Sequence, residues 1–135
     1  GHELMCDGMI MLGADGLVPG LANVDPAGYV RLWDAATAGD WPSAVTEQER
    51  LADLFEIVFQ APMRSLDARG VGAFKAAMVE LGTLPTGTMA HPVRAIDGPS
   101  LDAIRRIVGA TRSATGSRAT TGPNASADRR MSATG

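Results

Sequence analysis

Gly13-Ala14-Asp15-Gly16-Leu17-Val18-Pro19-Gly20-Leu21-Ala22-Asn23-Val24-Asp25-Pro26 carries the reading on which the fold turns. Gly13 stands where a helix closes through a left-handed residue. Ala14-Asp15-Gly16 is a tight turn. Leu17-Val18-Pro19 is a brief apolar strand, with Pro19 tolerable only near its end. Gly20 to Val24 is a loop. Asp25 is a good N-cap, and Pro26 fits the first helical position because no N–H is needed there. Helix end, turn, strand, Gly-bearing loop and helix start make one βα step of a (β/α) barrel. The loop after such a strand lies on the face where these barrels keep their chemistry.

Upstream, Leu4, Met5, Met9 and Leu12 fall at helical spacing up to Gly13. Downstream, Tyr29, Val30, Trp33 and Thr37 give one helical face that Gly39 ends. Asp40 caps the next helix, with Trp41 and Pro42 in its first turn. Ala44, Leu51, Leu54, Phe55 and Val58 form its apolar stripe, and Glu47, Gln48, Glu49, Arg50 and Asp53 mostly take the wet side. Residues 61–69 read as irregular around Pro62. Val71, Phe74, Met78 and Leu81 mark another helix, stopped by Gly82. Residues 83–99 hold three prolines and read as a crossing loop. Ser100 then caps a last helix carrying Leu101, Ile104, Ile107 and Val108, with Asp102 and Arg112 placed to suit its dipole. From Ser113 onward Ala, Ser, Thr and Gly dominate. Such a segment buries too little surface to offset its chain entropy.

The composition narrows the function classes. A whole barrel needs roughly 250 residues, so a chain of 135 cannot hold one. Hydrophobic residues at 45% suffice for a core, and the net charge of −3 with no basic face argues against nucleic acid. No apolar run approaches membrane-spanning length and no leader pattern opens the chain. Cys6 is alone, which excludes a disulfide framework and fits a reducing, cytoplasmic setting. The first residue, Gly1, enters directly into a helical pattern, as expected of a chain cut from something longer.

Few side chains suggest chemistry. His2, Glu3, Cys6 and Asp7 crowd one terminus, but their spacing is not that of a His-Glu-x-x-His metal helix, and a packed thiol with solvated acids is the simpler reading. Gly13-x-x-Gly16-x-x-x-Gly20 lacks the Gly-Lys-Ser/Thr of a phosphate loop, so turn chemistry accounts for it. Met5, Met9 and Met11 read as gap fillers against a barrel wall. Trp33 and Trp41 read as packing residues.

With these pieces in order, the chain resembles the C-terminal part of the dihydrodipicolinate synthase / N-acetylneuraminate lyase family. The resemblance rests on Gly13-Ala14-Asp15-Gly16, then Ala22-Asn23-Val24 followed by Pro26. Ala38-Gly39-Asp40-Trp41, Gln48-Glu49-Arg50-Leu51 and Phe74-Lys75-Ala76-Ala77 running to Leu81-Gly82 follow. It covers roughly residues 1–110, with only Pro92 and Arg94 as candidates for the family's later Arg-and-Pro segment.

The resemblance implies a fold that is mainly α with one short strand: the C-terminal fragment of a (β/α)8 TIM barrel plus its helical extension. Residues 1–39 would be the last βα portion, 40–112 the extension, and 113–135 a disordered low-complexity tail. The family's members are Schiff-base-forming, pyruvate-dependent lyases and synthases, or class I aldolases, and are often tetramers. They need a lysine amine that condenses with a ketone and a tyrosine-centred proton relay. By the resemblance both lie on strands upstream of Gly1. The single lysine, Lys75, and single tyrosine, Tyr29, fall on helices instead. No catalytic residue, cofactor or metal is therefore expected here. Val18, and Gly1 at the end of the seventh strand, match positions beside the pyruvate site and are the expected substrate-binding residues. The bland reading of Val18 is a buried strand residue. The expected partners are the missing N-terminal barrel half, pyruvate or another 2-oxo acid, and further copies of the chain in a homo-oligomer, without nucleic acid or membrane. Alone, the chain is expected to be inactive and loosely packed. The alternative is a stand-alone, non-catalytic helical interaction module.

Overall fold

The computed structural model describes residues 2–62 and 65–119. A 3-10 turn (Glu3–Met5) leads into α1 (Cys6–Met11). A second 3-10 turn (Gly20–Asn23) precedes α2 (Pro26–Thr37), followed by α3 (Trp41–Phe55) and a third 3-10 turn (Glu56–Gln60). α4 (Leu66–Glu80) and α5 (Gly98–Ala119) complete the order.

Local chemistry explains most of these limits. The Asp25 carboxylate accepts the Gly28 N–H at 2.9 Å, and Pro26 opens α2. The Asp40 carboxylate accepts the Ser43 N–H at 3.2 Å to start α3. Each cap satisfies a backbone donor that a helix start leaves without an internal partner. Gly13, Gly39 and Gly82 have φ of 92°, 78° and 74° and close α1, α2 and α4. In α2 the Asp40 N–H reaches the Ala35 carbonyl at 2.9 Å and the Gly39 N–H reaches Ala36 at 3.1 Å. That pair of bonds is the Schellman closure, and its left-handed residue favours glycine.

Four expectations are corrected. Leu17–Pro19 forms no strand, and none occurs among the described residues. Pro19 is extended, with φ −84° and ψ 143°. Extended backbone becomes a strand only when a neighbouring strand pairs with it. The stretch 61–69 is not irregular throughout, because the Ser65 hydroxyl accepts the Ala68 N–H at 3.3 Å and starts α4 at Leu66. Ser100 is not the cap of the last helix. α5 begins at Gly98, with Pro99 in the first turn, where its missing N–H costs nothing. Finally, α5 runs on to Ala119, so helix replaces the first residues of the expected tail; residues 120–135 lie outside the described residues.

One apolar cluster joins α1 to α5. Cys6, Leu21, Leu32, Leu51, Ile57 and Ile104 are its fully buried side chains. Phe55, Phe74, Met78 and Ile107, all expected in the core, pack against it from partly buried positions. α2 lies along α3, and α5 covers α3, α4 and the third 3-10 turn. Residues from 1–39 and from 40–112 thus share a core. Met11, Leu12 and Val18 stay outside it, at 64%, 80% and 91% exposure. Met5 and Met9 are partly exposed as well, at 44% and 38%.

Candidate functional site

The loop after Val18 is held from below by Glu3. Its two carboxylate oxygens accept the Gly20 and Leu21 N–H groups, each at 2.9 Å. These are the first donors of the second 3-10 turn, which has no side-chain cap of its own. A carboxylate is the strongest acceptor the chain can offer there. The Tyr29 hydroxyl, from α2, donates to the same Glu3 carboxylate at 3.4 Å. α3 adds Gln48, whose amide nitrogen donates to the Glu3 carbonyl at 3.0 Å and whose amide oxygen accepts the Asp7 N–H at 3.2 Å. Gln48 is buried, so both ends of its amide need these partners.

A second polar group lies at the start of α2. The Arg50 guanidinium donates to the Asp25 carboxylate and, through Nε, to Glu47 at 2.7 Å. Arg31 donates to Glu47 at 2.8 Å. Asp25 therefore caps α2 with one oxygen and holds α3 with the other. Burial alone would raise the Glu47 carboxyl, but the hydrogen bonds from Arg31 and Arg50 outweigh it and hold the group below the usual carboxylate range. Burial likewise works against the Arg50 charge, and the bonds to Glu47 and Asp25 more than offset it.

The chemistry open to these groups is limited. Burial pushes the Tyr29 phenol well above the ordinary tyrosine range, and the Glu3 charge adds to that. Burial, then Glu3, also pushes the Cys6 thiol up. Both groups keep their protons at neutral pH and present no anionic nucleophile. Lys75 projects from α4 and donates to the Thr88 carbonyl at 2.8 Å. It stands on a helix rather than at the end of a strand. Among the described residues no cluster of three or more His, Cys, Asp or Glu is arranged to hold a metal ion.

Of the expected substrate-binding residues, Gly1 lies outside the described residues. Val18 is not the buried strand residue of the bland reading; its side chain stands almost fully in solvent. Glu3, Glu47, Gln48 and Arg50 are the residues that sequence reasoning misplaced. Glu3 was assigned to solvent and instead clamps a loop 17 residues away. Glu47 and Gln48 are buried at 8% and 5% exposure rather than wet. The only local signal was their position beside Leu51 at a helical spacing that borders the apolar stripe.

The family model of the dihydrodipicolinate synthetase family matches residues 1–111 of the chain. The 4-hydroxy-tetrahydrodipicolinate synthase of Methanosphaerula palustris is 29% identical over 106 residues, covering 76% of this chain and 34% of that protein. The protein of the same name from Methanothermobacter thermautotrophicus is 37% identical over 59 residues, covering 44% of this chain and 21% of that protein. The chain spans about a third or less of the length of these curated relatives.

Proposed function

Because the chain belongs to the dihydrodipicolinate synthetase family, we propose that it is the C-terminal portion of a Schiff-base-forming, pyruvate-dependent lyase or synthase. In this role it supplies scaffold and one wall of a 2-oxo acid pocket, and it is inactive by itself. The observation that carries the reading is the combination of a family match across 1–111 with a lysine and a tyrosine that are both committed elsewhere. Lys75 is tied to the Thr88 carbonyl on a helix, and Tyr29 is buried against Glu3.

In this reading the main chain at Val18 forms part of the wall, and Gly1, outside the described residues, is the other substrate-binding position. Exposure of Val18 supports a surface position over a core one. The clamp from Glu3 to Gly20 and Leu21 fixes the loop that follows Val18, so the wall keeps its shape. A preformed wall needs no ordering when substrate arrives, which preserves binding energy. In this reading residues 1–39 are the last βα portion of the barrel and 40–112 its helical extension. The exposed Met11, Leu12 and Val18 then meet the upstream barrel half.

The test is a chimera. The matched 106-residue region of the M. palustris protein is replaced by the corresponding residues of this chain. The chimera is expected to form a borohydride-trapped adduct with pyruvate on a lysine contributed by the M. palustris part. A folded chimera that forms no adduct overturns the proposal.

A further inference from the structure

A half-open cavity of about 400 Å³ lies where the start of α2, α3, the end of α4 and α5 meet. Its volume falls within the range of roughly 300–1,000 Å³ usual for small-molecule sites. Leu54, Leu81 and Val108 give it apolar walls, and Glu3, Val18 and Gly20 take no part in its lining. Its charged groups are Asp25, Arg31, Arg50 and Arg112.

The charges sort themselves by pairing. Arg50 is bound to Asp25 and Glu47, and Arg31 to Glu47. Two cations thus face two carboxylates, and that part of the wall is neutral. Arg112 is the surplus: its side chain has no ion pair or hydrogen bond among the described residues. A neighbouring cavity of about 490 Å³ shares Arg50 and Thr111 but carries Asp53 and Glu56. Its acids repel an anion, so the two cavities differ in the ligand they admit.

We infer that the cavity between α2, α3, α4 and α5 binds a small monocarboxylate with an apolar body. The apolar body lies on Leu54, Leu81 and Val108, and the carboxylate pairs with Arg112. One surplus cation fits one negative charge; a dianion would bring a charge for which the wall holds no partner, next to Asp25. An uncharged apolar ligand would leave the guanidinium unused.

The experiment is an NMR titration of the isotopically labelled 135-residue chain with hexanoate, and with acetate and hexan-1-ol as comparisons. Hexanoate is expected to bind saturably in the millimolar range, with shifts gathered at residues 24–31, 50–54 and 108–112. Acetate lacks the apolar body and is expected to bind at least about tenfold more weakly, since each buried CH₂ contributes. Arg112→Gln is expected to weaken hexanoate about tenfold, the scale of a charge-assisted contact, and to leave hexan-1-ol unchanged. Ala27→Phe, at the cavity edge, is expected to abolish binding of hexanoate and hexan-1-ol while the spectrum stays folded. The inference is overturned by non-saturating shifts, by shifts centred elsewhere, by an Arg112→Gln chain that binds hexanoate as before, or by a folded Ala27→Phe chain that still binds it.

Discussion

Replacing Glu3 with alanine removes the acceptor for three donors at once. The Gly20 and Leu21 N–H groups lose charge-assisted bonds at 2.9 Å, and the Tyr29 hydroxyl loses a longer one at 3.4 Å. Leu21 is fully buried and Tyr29 nearly so. Each bond to a charged group contributes about 1.5–3 kcal/mol net, and water reaches part of the vacated space, so the variant is expected to lose about 3 kcal/mol. That corresponds to about 10 °C in Tm for a domain of this size. Glu3→Gln keeps a single acceptor oxygen and turns an NH₂ toward a backbone donor, so it recovers less than half of the loss. Tyr29→Phe alone costs about 1 kcal/mol, the value of one ordinary hydrogen bond. In a double-mutant cycle its cost disappears in the Glu3→Ala background. Urea titration followed by Trp33 and Trp41 emission reads the unmodified chain and all four variants. A Glu3→Ala loss below about 0.5 kcal/mol, within the range of an ordinary surface change, would refute the clamp.

Three further outcomes follow from the same geometry. Hydrogen exchange at residues 16–18 is expected to be fast, because their N–H groups have no bonded partner among the described residues; strong protection there would mean that a strand pairs with this segment. Gly28→Ala is expected to destabilise by about 1–3 kcal/mol, the usual cost of overpacking, since an added Cβ meets the Arg50 guanidinium, the Asp25 carboxylate and Leu51; a neutral result in a urea titration contradicts the tight Asp25–Arg50 junction. Glu47 is held below its ordinary value in the folded chain. Its contribution is complete above the unfolded carboxylate value of about 4.3 and is lost as pH falls through the folded value. Glu47→Gln should therefore flatten the acid limb of the stability curve, and an unchanged limb refutes the network.

Helix limits set by adjacent residues were legible. Asp25-Pro26 and Asp40 cap as expected, and Gly13, Gly39 and Gly82 close their helices, because each acts within a few residues of its own position. The Leu17–Pro19 strand was not fixed by such local chemistry, since pairing depends on a distant segment. Charged residues failed for the same reason. Arg50 looks solvated until Asp25, 25 residues earlier, is brought beside it. Glu3 looks solvated until the 20–21 turn is laid over it. Ser100 misled because α5 begins two residues before it, at Gly98, with Pro99 fitting the first turn. The family resemblance, carried by the order of short motifs, survived these local errors because it did not depend on any one of them.

The most direct measurement is mass analysis of the 135-residue chain after incubation with pyruvate and borohydride. The polypeptide should come through with Lys75 unmodified, because under the proposed function the condensing amine is not one of this chain's residues. A reduced pyruvyl adduct on Lys75 would contradict the assignment of this chain as scaffold and pocket wall.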